Sequence, residues 1–301
     1  MWSFGALLGN PGFFSSGPVQ TALIVGACAA LVSAVIGVFS VWRGNAFAGH
    51  ALADVSSAGG AVSFLLGISP LLGFLGMAWI AAFSMEFLGI RIGRERDLTT
   101  GIVLGAGLGL SALFLYLDVT TTSTTGAAVS VMFGSLFAIP QSLITPALAA
   151  SGSVFLLVGL FYRPMMLAAV DPDLAAVRGV SLRWVGLLQL LALGLAVAVC
   201  ALAIGAVLAT ALLIGPAGAA IRLSRRPGQA ILWAMVIGLT AVWGGIWMAY
   251  ASYYWFSGNA WPVSFFVVAL VFLFYLAAVL FAKVAGLAAH PKPVTWPHCE
   301  T

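Results

Sequence analysis

Two ionisable side chains, His50 and Asp54, lie within the short stretch Gly-His-Ala-Leu-Ala-Asp of a chain in which only 7% of the residues are charged. Their spacing of four residues places both side chains on one face of a helix, one turn apart. Ionisable groups inside an apolar segment are costly and usually belong to a pathway or a site. An imidazole beside a carboxylate suits a divalent transition metal. The alternative is a buried His–Asp hydrogen bond that joins two helices.

Two donors do not complete a metal site, which usually needs four to six ligands. Two copies of the chain around a twofold axis would bring a second His50 and Asp54 to the first pair. The resulting set of two imidazoles and two carboxylates suits Mn, Fe or Zn and discriminates little among them. We therefore predict a shared metal site between two copies.

These side chains belong to a chain of 301 residues, of which 62% are hydrophobic. Long apolar runs separated by short charged connectors predict an all-α polytopic membrane protein with about nine transmembrane helices. The expected spans are residues 19–42, 46–67, 70–90, 98–117, 142–163, 183–204, 206–222, 230–254 and 260–282. Residues 126–138 are apolar but too short to cross, which predicts a re-entrant or tucked helix. We expect Gly215-Pro216 to break the span 206–222.

The basic residues fall in alternate connectors, so an odd number of crossings puts all of them on one side. By the positive-inside rule, that side is the cytoplasm. The layout predicts an extracytoplasmic N-terminal segment (1–18), a transmembrane domain (19–285) and a cytoplasmic tail (286–301). The net charge of +4 then reflects orientation in the membrane and not nucleic-acid binding. The basic residues that define the cytoplasmic side include Arg43, Arg91, Arg94, Arg96, Arg163, Arg178, Arg183, Arg222, Arg225, Arg226, Lys283 and Lys292.

Residues 171–180, between the fifth and sixth expected spans, have the pattern of a short capped helix. Asp171 is a suitable N-cap, Pro172 suits the first helical position, and Gly179 suits the end of the helix. Flanking basic residues place this segment on the cytoplasmic face. A short helix there is a natural contact for a soluble motor subunit, and the alternative is an ordinary surface connector.

Several catalytic motifs are absent from the sequence. Without a G-x-x-x-x-G-K-[ST] loop, we expect that the chain does not bind and hydrolyse ATP by itself. The absence of a G-x-S-x-G elbow and of an H-E-x-x-H helix argues against a hydrolase or a metalloprotease. We therefore expect a transport protein and not an enzyme.

The order of five motifs resembles the membrane permease subunits of bacterial metal-ion ABC importers, the manganese, zinc and iron class known as the ABC-3 family. Each motif is weak by itself, but five in the same order are fairly specific, and they extend over most of residues 19–285. The matching segments are Val41–Asp54 ("V-x-R…F-x-G-D-A-L-S-H"), Asp97–Ile102 ("D-x-x-x-G-I"), Phe133-Gly134 ("L-F-G"), Asp171–Gly179 ("D-x-x-x-A-x-x-x-G") and Val207–Ala220 ("G-x-x-L-x-x-A-L-L-x-x-P-A-x-x-A").

The chain departs from this family in one respect. The usual motif puts Asp first and His four residues later, whereas here His50 precedes Asp54. Exchanging two positions one helical turn apart keeps both side chains on one face, so the ligand set survives although each ligand moves by a turn.

The resemblance implies a permease in the bacterial plasma membrane that moves a divalent metal as its substrate and holds no permanent cofactor. It implies three partners: a cytoplasmic ABC ATPase, an extracytoplasmic metal-binding protein and a second permease copy. The metal would pass between the copies near His50 and Asp54. The residues that would couple to the ATPase are Asp171, Asp173, Ala175 and Gly179.

Three other functions agree with the same residues. A permease of this fold could import a metal chelate instead of a bare ion. An ion-coupled secondary transporter could use His50 and Asp54 as a proton relay and would need no ATPase. A structural membrane scaffold would use neither side chain for transport.

Overall fold

The computed structural model describes residues 11–88, 93–121, 126–224, 226–255 and 261–284. Within these ranges every regular element is a helix, which confirms the predicted all-α class. The tail 286–301, residues 1–10 of the N-terminal segment, Arg91 and Arg225 lie outside the described residues. The α-helices are α1 (Pro11–Ser15), α2 (Gly17–Trp42), α3 (Ala46–Leu66), α4 (Pro70–Leu88), α5 (Gly93–Thr121), α6 (Ala127–Phe133), α7 (Ile144–Val170), α8 (Pro172–Val177), α9 (Leu182–Ile204), α10 (Ala206–Leu223), α11 (Pro227–Trp255) and α12 (Val263–Val284).

Eight segments of the described chain are long and apolar enough to cross a membrane. They correspond to α2, α4, α5, α7, α9, α10, α11 and α12. The remaining expected span is α3, which has 21 residues but lies outside this set. His50, Asp54 and several serines lower its mean hydropathy below that of the eight candidate spans.

The bundle has two central helices. In α2 and α9, 78% and 83% of the span residues are buried, whereas in α5 only 17% are buried. The helices α5, α7 and α12 therefore form the periphery of the single chain. Large exposed apolar side chains on α12, such as Phe265, Phe272 and Phe281, suit contact with lipid or with another protein chain.

Helix α3 is enclosed by its neighbours, which explains how a polar helix is tolerated. It packs against α4, α5, α9 and α10. Gly59 of α3 and Gly73 of α4 bring the two backbones into contact, because a Cβ atom on either glycine would overlap the carbonyl of the other. Small residues allow this close approach of helices in a membrane.

The predicted short helix in residues 126–138 is confirmed as a tucked element. Helix α6 has seven residues and is followed by a 3₁₀ turn at Leu136–Ala138. It contacts α3, α9 and α10 and does not cross the bundle. Gly134 ends α6 with a φ of +72°, a conformation that favours glycine.

The expected break at Gly215-Pro216 is wrong, because α10 runs without interruption from Ala206 to Leu223. Pro216 has no N–H to donate to the Leu212 carbonyl, but its fixed φ is compatible with a helix. Neighbouring helices hold this segment in place. Pro216 is buried, and a Cβ atom on Gly215 would overlap the side chain of Val271 in α12. Packing, and not the local sequence, decides the conformation here.

The fifth expected span also differs from the structure. Its expected end is residue 163, but α7 continues through Pro164 to Val170. The helix bends at Phe161, whose φ and ψ are −106° and 17°. The cause is Pro164, because a proline ring inside a helix clashes with the carbonyl four residues earlier.

Candidate functional site

His50 and Asp54 meet on one face of α3, as their spacing predicts. The Nε2 atom of His50 lies 3.4 Å from Oδ2 of Asp54. The His50 side chain is 44% exposed and the Asp54 side chain is 13% exposed. The pair is therefore accessible from outside the single chain and is not sealed in its core.

Thr210 of α10 is the third member of this site. Its Oγ1 atom lies 3.1 Å from Nδ1 of His50, on the opposite edge of the imidazole from Asp54. Sequence reasoning singled out the surrounding stretch 207–220 but not this side chain. The available signal was a single hydroxyl within an apolar run, and only the fold brings it across 160 residues of sequence to His50.

Glycines fix α10 against the helices that carry and flank the site. A Cβ atom on Gly49 would lie 2.6 Å from Cδ2 of Leu213, which is one turn beyond Thr210. A Cβ atom on Gly37 of α2 would overlap the backbone carbonyl of the same leucine. The absence of side chains at both positions lets α10 approach α2 and α3, and this approach sets the distance between His50 and Thr210.

A groove of about 610 Å³ begins beside this site and runs along α10 and α12. Its lining is mostly apolar, and it extends past Gly218 to Arg222 in the last turn of α10. Arg222 donates to the Tyr275 hydroxyl at 3.2 Å, and its guanidinium lies 5.5 Å from the centre of that ring. Thr210 both lines the groove and contacts His50, so this residue joins the groove to the site.

The arrangement can give a cation one nitrogen and one oxygen donor. Two metal bonds of about 2.1 Å at a tetrahedral angle put their donor atoms about 3.4 Å apart, which matches the observed separation of Nε2 and Oδ2. Within the described residues, no group of three or more His, Cys, Asp or Glu side chains could hold a metal ion. The described part of one chain therefore supplies half of an ordinary site.

The predicted capped helix in residues 171–180 is confirmed. The Asp171 side chain accepts a hydrogen bond from the Leu174 N–H at 2.9 Å, and Pro172 begins α8. Gly179 follows the helix with a φ of +78°. Ala175 is buried against the bundle, while Asp173 is exposed in the first turn. The segment thus presents a short, N-capped helix at the surface.

A further polar cluster joins the ends of α2, α4 and α9, and sequence reasoning missed it. Arg43 donates from Nη1 to Oε1 of the buried Gln189 at 2.6 Å. A Cβ atom on Gly186 would lie 3.1 Å from Glu86 Oε2 and 3.2 Å from Arg43 Nη2. The missing side chain of Gly186 leaves room for both charged groups over α9.

Comparison with known proteins gives matches over nearly the whole chain. The ABC 3 transport family matches residues 17–282. The manganese transport system membrane protein MntC of Listeria innocua serovar 6a is 26% identical over 281 residues, which cover 93% of this chain and 96% of the relative. The high-affinity zinc uptake system membrane protein ZnuB of Haemophilus influenzae is 27% identical over 227 residues, covering 75% and 85% respectively.

A solved structure has the same fold. PsaBC from Streptococcus pneumoniae in complex with Fab gives a TM-score of 0.78 at 21% identity, over 92% of this chain and 95% of that chain. The predicted permease fold, with its long helices and short tucked helix, is therefore confirmed.

Proposed function

The chain belongs to the ABC 3 transport family, and we propose that it imports a divalent transition metal, manganese or zinc, as the permease subunit of an ATP-driven importer. The descriptions of its relatives as transport-system membrane proteins agree with the expectation of a transport subunit and not an enzyme. The relatives named above are described for manganese and zinc. Iron, which the motif resemblance also implies, is the third metal to test.

The observation that carries this proposal is the pairing of His50 and Asp54 at 3.4 Å on an accessible face of α3. We propose that a second permease copy brings an equivalent pair across a twofold axis, giving two imidazoles and two carboxylates around the cation. Such a set binds Mn and Zn without the strong thiolate bonds that slow release. A transport pathway needs a site that releases its ion readily, because the ion must leave the site as well as enter it.

We also propose how ATP hydrolysis reaches the site. The segment Asp171–Gly179 would dock on a separate cytoplasmic ATPase, with Asp173 exposed and Ala175 fixing α8 to the bundle. Helix α8 packs against α7 and α9, and α9 packs against α3, which carries His50 and Asp54. A movement of the ATPase would then reach the metal pair through packed helices.

The proposed orientation follows from the basic residues. The N-terminus lies outside and the C-terminus lies in the cytoplasm of a bacterial cell, in its plasma membrane. A metal-binding protein on the outer face would deliver the ion. Arg178 follows α8 directly and Arg183 lies in the first turn of α9, so the ATPase contact and the cytoplasmic face coincide.

The test is uptake of radioactive Mn, Zn and Fe by proteoliposomes that contain the permease with its ATPase and binding protein. We expect ATP-dependent uptake by the wild type and a loss of at least about tenfold in His50→Ala and in Asp54→Asn. Thr240→Ala is a matched control, because this exposed residue of α11 donates to carbonyls of its own helix. If His50→Ala takes up metal as well as the wild type does, the pair His50 and Asp54 is not part of the transport pathway.

The same vesicles separate this proposal from a secondary transporter. Vesicles that contain the permease without its ATPase should accumulate no metal when only a proton gradient is imposed. Accumulation driven by that gradient, and abolished by Asp54→Asn, would favour the proton-relay function instead.

A further inference from the structure

We propose that Thr210 is a positioning residue that holds His50 in the tautomer able to bind the metal. This inference rests on the proposed function of the His50–Asp54 pair. It adds a residue from a different helix, and it explains why the site requires α10 as well as α3.

The two ring nitrogens of His50 face different groups. Nε2 faces the Asp54 carboxylate at 3.4 Å, and Nδ1 faces the Thr210 hydroxyl at 3.1 Å. A neutral imidazole carries one proton, and the nitrogen that binds a metal must be the one without it. For Nε2 to join Asp54 as a ligand, the proton must stay on Nδ1, where it needs an acceptor. The Thr210 hydroxyl oxygen is placed to accept it.

Such partners of a metal-binding histidine usually fix both the tautomer and the ring orientation. Thr210 is suited to this role because α10 cannot drift away from α3. Leu213, one turn further along α10, fills the space over Gly49, the residue immediately before His50. The contact between Gly49 and Leu213 therefore fixes the helices beside the hydrogen bond.

The position of Thr210 also argues against a role in packing alone. Its side chain lines the groove beside the site, and the mostly apolar lining of this groove does not favour a hydroxyl group. The neighbouring groove residues on α10, Ala211 and Ile214, are apolar. A valine of nearly the same shape would fill this space equally well if shape were the requirement.

The experiment compares Thr210→Val, Thr210→Ser and His50→Ala in the assembled importer. Metal uptake is titrated with Mn and Zn. We expect Thr210→Val to weaken the apparent affinity about 10- to 100-fold, the range found when such a partner is removed. Thr210→Ser keeps the hydroxyl and should stay within about threefold of the wild type. Thr210→Ala serves as a second variant without a hydroxyl if the valine variant does not fold.

A spectroscopic measurement reports the tautomer directly. The sequence has three histidines, so replacing His290 and His298 with Gln leaves His50 as the single one. In the ¹⁵N spectrum of this purified chain without metal, we expect the Nδ1–H form. Thr210→Ser should keep that form, and Thr210→Val should shift the ring towards Nε2–H.

The outcomes distinguish this inference from the function on which it rests. If His50→Ala transports like the wild type, the proposed metal pathway fails. If His50→Ala loses transport while Thr210→Val keeps both its affinity and the Nδ1–H form, the pathway stands and the role of Thr210 is overturned.

Discussion

Gly134 and Gly205 lie backbone against backbone, and a Cβ atom on either one would lie 2.5 Å from the backbone nitrogen of the other. Both have positive φ angles, +72° and +88°. Gly134 ends the tucked helix α6, and Gly205 separates α9 from α10. This contact fixes the start of α10 five residues before Thr210.

We expect Gly134→Ala and Gly205→Ala each to destabilise the permease by about 2 kcal/mol or more, because the new side chain meets backbone and the φ angle disfavours it. Thermal unfolding in detergent measures this effect. Gly152→Ala is the control: Gly152 lies in α7 with no atom of the described residues within 4 Å of its Cβ position, and alanine should be neutral or slightly stabilising there. An unchanged unfolding temperature in Gly205→Ala would contradict the description of this contact.

Gly49→Ala should weaken metal affinity while leaving the protein folded. The new methyl group displaces the end of the flexible Leu213 side chain, pushes α10 away from α3 and lengthens the contact between His50 and Thr210. We expect a loss of affinity of about tenfold in the uptake titration. The double variant Gly49→Ala/Leu213→Ala makes room for the methyl group and should recover much of it. A double variant as weak as the single one would mean that this contact does not control the site.

Exchanging the pair, in His50→Asp/Asp54→His, should preserve cation transport because both donors stay on one face of α3. The imidazole then lies a turn away from Thr210, so adding Thr210→Val should no longer reduce affinity. Uptake titrations of the exchanged protein with and without Thr210→Val measure this. A large further loss in the triple variant would show that Thr210 acts on something other than the imidazole.

Arg43→Met should destabilise the chain by about 1–3 kcal/mol, because Oε1 of the buried Gln189 loses its donor. Adding Gln189→Leu should recover the part of this loss that comes from Gln189. It removes the stranded oxygen together with Nε2, which has no hydrogen-bond partner among the described residues. Thermal unfolding of the single and double variants measures both effects, and equal destabilisation of the two would contradict this account.

Asp171→Ala removes the N-cap of α8 and should lower metal-stimulated ATP hydrolysis while leaving metal binding by the permease intact. The local cost is about 1 kcal/mol. Asp171→Ser keeps a capping oxygen and should retain coupling. If serine fails as alanine does, the carboxylate itself contacts the ATPase. Normal metal-stimulated ATP hydrolysis in Asp171→Ala would show that the N-cap of α8 has no part in coupling.

Much of the fold follows from patterns within single segments. Apolar runs of membrane length predict the long helices, and the Asp-Pro…Gly pattern predicts α8, because each of these signals is local. The meeting of His50 and Asp54 is also local, since it depends only on a spacing of one helical turn. Each of these predictions is confirmed, although the transport role of the pair stays a prediction.

The remaining features depend on contacts between distant segments. No spacing in the sequence indicates that Thr210 meets His50, because the register of α10 on α3 is set by Gly37, Gly49 and Leu213 together. The same holds for Pro216. A proline in a short span predicts a break by local rules, but the packing of α10 against α12 overrides them.

The low hydropathy of α3 has a consequence for biosynthesis. A segment that carries His50 and Asp54 partitions poorly into lipid from the translocon, so its insertion should depend on α2 and α4 entering with it. Thr210 is translated long after them. In a nascent chain His50 thus lacks its Thr210 contact until α10 arrives, and the His50 site is among the last parts of the permease to form.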